Sequence, residues 1–429
     1  MPGSMRCALA LTMMAAAASA QVRVPAVPLP SLGVQNLPQA LDQVQSQSLD
    51  RFSDLRHLEI SRLIRANRRL VDTDPNGEPV IRNEILALSP SDSTLDRART
   101  LGFLVDREQS IAAMNVRLVV FKAPQGMSTK KALRALREAD PGGSYDYNHI
   151  YSGSGEISRG GATASVATRA DAPGQSGVRI GLLDTGVDLT HPVFRESIVH
   201  AWGCADHAVP AAHGTAVASL LIGHSDVFRG VHPGAELYAA DVYCGQPTGG
   251  AADALVAAFG WLVQESIPVI NVSLVGPKNA MLEHVIARLT GAGYIIVAAV
   301  GNDGPAAPPL YPASYPNVVG VTAVDARRRV LIEAAHGPQV MFASPGADLA
   351  AAGLAHAYTA VRGTSFAAPF VAALLAAELT SPGSAEAAGA IEALAKRAID
   401  LGSTGRDLTY GFGLVGAEYR IDPTPLIGH

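Results

Sequence analysis

The apolar positions of this chain change their period several times, and each change marks an element. Between Leu49 and Leu70, the residues Leu55, Leu58, Ile60, Leu63 and Ile64 recur at roughly helical spacing among Arg56, Arg62, Arg65, Arg68 and Arg69. That pattern predicts a basic amphipathic helix, for which a solvated face is the commonest explanation, ahead of an acidic partner or a membrane surface. Asp72 to Gly77 opens like a calcium loop, but Asn83 stands where the twelfth position needs Glu, so it reads as a turn. Strand patterns follow over Glu84 to Leu88, Phe103 to Gln109, Asn115 to Lys122 and Tyr145 to Tyr151. Helices are expected over Thr94 to Gly102 and over Thr129 to Ala139, the second opened by Ser128 as N-cap.

The order β-α-β-β-α-β over residues 84–151 is that of a small ferredoxin-like α+β unit. From Val178 onward the pattern is different. Short runs that are apolar on both faces (Val178 to Leu183, Glu236 to Tyr243, Pro268 to Leu274, Tyr294 to Val300, Val318 to Val324) alternate with helices. The helices are Thr215 to Ile222, Ala252 to Glu265, Met281 to Thr290 and the Ala-rich Ser365 to Leu379. Repeats of this kind predict a parallel sheet sandwiched by helices, an α/β fold whose active site lies at the carboxyl ends of the strands.

The ends and joints of the chain are compositional. Arg6, an apolar Ala-rich stretch and Ala18-Ser19-Ala20 make a signal-peptide pattern over residues 1–20, with cleavage and export expected after Ala20. Residues 21–47 are rich in Pro, Gln and Ser and read as a flexible leader, and residues 152–177 read as an exposed Gly/Ser linker. Past residue 20 no uncharged apolar run reaches the ~18 residues of a membrane helix, so no transmembrane segment is expected in the mature chain. A net charge of −5 argues against a nucleic-acid partner, and 48% hydrophobic content argues for folded chain over most of the length. Once Cys7 is removed with the leader, Cys204 and Cys244 remain in an oxidising compartment, where a disulfide is expected and a metal site less so.

Three segments carry reactive side chains at predicted strand or helix ends: Gly181-Leu182-Leu183-Asp184-Thr185-Gly186, His213-Gly214-Thr215 and Gly363-Thr364-Ser365-Phe366-Ala367-Ala368-Pro369. Singly, Asp184 is a turn acid, His213 a helix-start residue and Ser365 an N-cap. Jointly, the order Asp, His, Ser is one of the chain orders of a serine-nucleophile triad. An activated serine needs a base that a buried carboxylate holds in the right tautomer, and fixed donors for the negative oxygen that develops.

With their flanking residues, these motifs resemble the three signatures of the subtilases, the subtilisin-like serine endopeptidases. The similarity runs from about Val178 to Tyr419 and includes Val300-Gly301-Asn302-Asp303-Gly304 and the segment from Gly405 to Gly413. The resemblance implies Asp184, His213 and Ser365 as the triad. It implies an oxyanion hole of the Asn302 amide and the Ser365 backbone N–H, and substrate-binding segments at Ser273, Leu274, Val275 and Gly276 and at Ala299 and Gly301. Val275 stands where glycine is common in the family, and a preference for small or medium apolar side chains is expected from it. A disulfide between Cys204 and Cys244 would brace the loop carrying His213.

The family's propeptide implies a role for residues 48–151 as intramolecular chaperone and inhibitor, with Tyr145 to Tyr151 led into the cleft and maturation within residues 152–177. Partners are then protein or peptide substrates and the chain's own propeptide. The Asn-rich calcium loop of many relatives is missing from Gly223 to Gly230, so no metal and no cofactor is expected. A catalytically silent fold used for binding is the competing reading, opposed by the intact Asp184, His213, Ser365 and Asn302. An esterase is opposed by the absence of a Gly-x-Ser-x-Gly elbow around Ser365.

Overall fold

The computed structural model describes residues 56–153, 155–158, 176–204 and 209–427. The expected signal peptide (1–20), the leader (21–47) and residues 159–175 of the linker lie outside them. The basic helix is found over residues 56–66 and is termed α1. It is followed by a short strand β1 (Val71–Thr73) and a turn in which the Asp74 carboxylate accepts the Asn76 and Glu78 N–H groups at 2.9 and 2.8 Å.

Then comes the βαββαβ unit: β2 (Pro79–Leu88), α2 (Asp92–Thr100), β3 (Leu104–Ile111), β4 (Val116–Lys122), α3 (Thr129–Ala139) and β5 (Ser144–Gly153). Ser91 and Ser128 cap the two helices by accepting the Thr94 and Lys131 N–H groups. The antiparallel order β5-β2-β4-β3 follows. Successive strand residues point to opposite faces. Ile85, Ala87, Val119 and Phe121 therefore pack against α2 and α3. Leu86, Leu118 and Val120 join a different core, described below.

The second region begins with β6 (Glu156–Ile157), β7 (Arg179–Asp184), β8 (Val199–Trp202), α4 (Ala212–Ile222), β9 (Glu236–Asp241), β10 (Gly250–Ala251), α5 (Ala252–Gln264), β11 (Val269–Val272), β12 (Leu274–Val275), α6 (Ala280–Gly291) and β13 (Ile295–Ala299). It continues with β14 (Val319–Val324), β15 (Val340–Pro345), β16 (Leu349–Ala352), β17 (Tyr358–Arg362), α7 (Thr364–Ala376) and α8 (Ser384–Arg397). Seven strands form a parallel sheet in the order β15-β14-β13-β11-β7-β9-β8, the α/β sandwich expected. On one face α4 and α7 close a core of Ala and branched aliphatics. On the other lie α5 and α6, and here Leu86, Leu118 and Val120 of the N-terminal sheet complete the packing.

The joint between the regions is exposed at Ser152, Gly155, Glu156 and Ser158, as expected of a linker from residue 152, but Ser152, Gly153, Glu156 and Ile157 are held in strand pairing. β5 runs on to Gly153, where Gly153 and Ser152 pair antiparallel with Leu274 and Val275, while Tyr151 and Ile150 pair with Gly250 and Ala251. On the far side, Glu156 and Ile157 pair with Arg362 and Val361. Gly and Ser carry no strand signal of their own; the order comes from backbone hydrogen bonding supplied by the walls of a groove.

Candidate active site

β7 ends in Asp184, fully buried, whose Oδ1 accepts the Thr185 N–H at 2.7 Å and lies 2.8 Å from His213 Nδ1. His213 stands at the start of its helix as expected, inside the first turn of α4, which begins three residues earlier than the Thr215 boundary suggested by the apolar pattern. Gly214 permits this: a Cβ there would stand 2.1 Å from Thr185 O. Its N–H instead bonds Thr185 Oγ1 at 2.8 Å, tying the helix start to the turn after Asp184. His213 Nε2 is buried and takes no hydrogen bond among the described residues.

Ser365 occupies the first turn of α7, where backbone N–H groups have no intrahelical acceptor. Its Oγ donates to Ser273 O at 3.0 Å. Pro369, four residues on, has no N–H to offer Ser365 O, and Ser273 Oγ fills that place at 2.8 Å. Asn271 Nδ2 in turn holds Ser273 Oγ at 2.9 Å. The Asn302 side chain is oriented by its own carbonyl: Oδ1 accepts the Thr364 N–H at 3.1 Å, leaving Nδ2 as its donor. Gly301, at φ +101°, lets the chain turn after Ala299, the last residue of β13, and its N–H bonds Thr364 Oγ1 at 3.1 Å. The fold thus gathers Asp184, His213, Ser273, Asn302 and Ser365 at the carboxyl ends of β7, β11 and β13 and at the starts of two helices.

β5 fills the groove between β10 and β12. A Cβ on Gly153 would lie 2.9 Å from His213 Nε2, and one on Gly155 would meet Phe366 at 2.5 Å. Leu274 and Val275 are strand partners of this segment, with Val275 opposite Ser152. Gly276 leaves room for Tyr151, whose hydroxyl donates to Pro277 O at 2.7 Å. Cys204, in the loop between β8 and α4, and Cys244, in the loop between β9 and β10, are joined by a disulfide.

Two parts of the site were not anticipated. Gly250 and Ala251 form the second wall of the groove, although two residues of small side chain give no recognisable strand pattern. Helix α1 covers the cleft: Arg56 bonds Asp303 at 2.8 Å and Glu78 at 2.9 Å, above a cavity of about 520 Å³ bounded in part by Leu63, Tyr243, Asn302 and Glu333. Burial works against the Arg56 charge, but Asp303 and Glu78 more than compensate and raise its pKa. Burial pushes the Asp303 and Glu59 carboxyls up.

Comparison with known proteins agrees with this geometry. The subtilase family model matches residues 175–413. Subtilisin DY of Bacillus licheniformis is 30% identical over 264 residues, covering 59% of this chain and 94% of that protein. The minor extracellular protease Epr of Bacillus subtilis (strain 168) is 29% identical over 215 residues, 49% of this chain, which spans only 33% of Epr. In fold the chain is similar to the crystal structure of fervidolysin from Fervidobacterium pennivorans, a keratinolytic enzyme related to subtilisin. The TM-score is 0.66 at 20% identity, over 83% of this chain and 63% of that one. A family match across more than half of the sequence, on a parallel sheet that brings together the Asp, His, Ser and Asn of the family's motifs, means that this chain belongs to the subtilase family of serine peptidases.

Proposed function

We propose that the chain is an exported serine endopeptidase made as a self-processing precursor. Residues 1–20 direct export, and residues 48–151, continued by the strand end at Gly153, act as an intramolecular inhibitor. In this reading Ser365 Oγ attacks the substrate carbonyl, His213 Nε2 takes its proton, and Asp184 holds Nδ1–H and the imidazolium that forms. The Asn302 amide and the Ser365 backbone N–H receive the oxyanion. Collapse of the tetrahedral species passes the His213 proton to the leaving amine, and water then hydrolyses the acyl-enzyme by the same route.

One observation carries the proposal: β5 lies as a peptide substrate would, antiparallel between β10 and β12, and reaches His213 at Gly153. The chain is gripped again at Glu156 by Arg362. Between these anchors the proposal narrows the maturation bond to the Ser154–Gly155 linkage.

Intact mass tests this on the chain without residues 1–20. Wild type is expected to lose everything before Gly155, while Ser365→Ala stays whole. Both proteins remaining whole would favour the catalytically silent reading, and a variant that still trims itself would remove Ser365 from the nucleophile's role.

A further inference from the structure

We propose that Tyr243 is a substrate-positioning residue: its hydroxyl oxygen accepts the backbone N–H of the residue second before the cleaved bond. The assignment rests on the reading that β5 occupies the groove as substrates do.

In an antiparallel strand, successive backbone N–H groups point to alternate edges. β12 serves one edge of β5 as far as Gly153, and β10 serves the other edge only as far as Tyr151. The Gly153 amide is left past the end of β10, in a cleft where an unmade hydrogen bond is costly. Tyr243 meets it: Gly153 N–H donates to the Tyr243 hydroxyl at 2.8 Å.

The phenol is held from behind. Buried Asp241, at the end of β9, accepts the Tyr243 N–H at 3.0 Å and the Cys244 N–H at 2.9 Å through one carboxylate oxygen, and the other oxygen accepts the Val209 N–H at 3.1 Å. Cys244, the next residue, is bonded to Cys204. Both restraints fix the backbone from which the ring projects. Burial first, and the Asp184 carboxylate second, hold the phenol far above its ordinary pKa, so it stays neutral wherever a peptidase works.

Such a contact reads the main chain and not a side chain. It favours any residue with an N–H at this position and disfavours proline, which has none. The adjacent His213 ring favours a small residue there, because even a Cβ on Gly153 would lie 2.9 Å from Nε2.

The test uses self-processed wild type and Tyr243→Phe with two quenched peptides of sequence Tyr-Ser-Gly-Ser-Gly. One is all-amide; in the other the glycine preceding the cut serine is replaced by glycolate, so that O stands for N–H. Wild type is expected to cut the ester analogue about five- to tenfold less efficiently in kcat/KM. Tyr243→Phe should lose a similar factor on the amide and treat the two peptides within about twofold. A merely structural tyrosine would lower both rates and leave their ratio unchanged, which would overturn the assignment. If the variant fails to mature, wild type alone decides: equal rates on the two peptides overturn it, and a five- to tenfold ratio that N-methylglycine at the same position, which lacks the N–H but adds no Cβ, reproduces supports it. A wild type that neither processes itself nor cuts the amide peptide defeats the peptidase reading and this assignment with it.

Discussion

The two regions of the described chain face the same task, covering both faces of a sheet, with unequal means. The parallel sheet is covered by α4 and α7 on one side and by α5 and α6 on the other, all from its own sequence. The N-terminal sheet owns only α2 and α3, and its second face, with Leu86, Leu118 and Val120, is covered by α5 and α6 of the other region. Full burial of three such side chains contributes roughly 5–8 kcal/mol. That is comparable to the whole net stability of a small domain, about 5–15 kcal/mol. One region is self-sufficient and the other is half of a sandwich. Under the proposed function, a half-sandwich would suit a piece that inhibits while attached and is discarded after the cut, because release would remove the surface that covers its second face.

The largest effect follows directly. A fragment of residues 56–153 alone is expected to lack a cooperative thermal transition and to show little amide protection, whereas the same residues are fully protected in the Ser365→Ala precursor. A fragment that melts cooperatively by itself would break the comparison, since α2 and α3 would then suffice. Adding the peptidase region in trans should restore protection in the fragment, and Leu118→Ala should weaken that recovery by about 2–4 kcal/mol.

The seam between the regions also carries charge. Arg107 on β3 bonds Glu84 at 2.6 Å and Asp253 of α5 at 2.7 Å, and Asn148 bonds the same two carboxylates at 2.8 Å each. Burial by itself would raise the Glu84 carboxyl, but Arg107, Asn148 and Lys122 hold it below the usual range. A pKa depressed in the folded state gives stability that is complete above the unfolded carboxylate range and lost as pH falls through the folded value. Chemical denaturation of the Ser365→Ala precursor should therefore show the attachment weakening below about pH 4.5. Arg107→Ala should cost roughly 1–2 kcal/mol at neutral pH, discounted because the guanidinium is partly exposed. It should also flatten the acid dependence; an unchanged acid slope would place the titration elsewhere.

How much of this was legible in the sequence depended on where each signal resides. α3 follows its pattern residue for residue because its cap, Ser128, and its buried face, Leu133 and Leu136, are both local. The buried strand β7, and with it Asp184, was marked by an apolar run ending in an acid and a glycine turn. By contrast β16 (Leu-Ala-Ala-Ala) has no β-branched residue, and its strand state comes from pairing with β17. β10 and β12 are strands only because β5 lies between them. Tyr243 was invisible for the same reason: its partner is a backbone amide 90 residues away, and a main-chain donor leaves no mark on side-chain pattern. The arginines of α1 were legible as a charged stripe, but which of them faces protein depended on Asp303, 247 residues distant.

That last contact gives the smallest and most local test. Arg56 reaches across from α1 to Asp303, the neighbour of Asn302, and to Glu78 at the start of the N-terminal unit, so one guanidinium fastens the helix over the cleft. Both partly buried acids, Asp303 and Glu59, gain a counter-charge from it. Removing it leaves Asp303 under the helix without that cation, at a cost of about 1–2 kcal/mol for a charge-assisted bond at a partly open site. In the activation time course, Arg56→Ala should shorten the lag between the self-cut and full peptidase activity several-fold while leaving the final rate of the mature enzyme untouched. Arg56→Lys should fall between the two, since an ammonium replaces the charge but cannot reach two carboxylates as a planar fork does. A lag that does not respond to either substitution would mean that the N-terminal sheet alone holds the cleft shut, and that α1 is, as its stripe of arginines first suggested, a solvated helix.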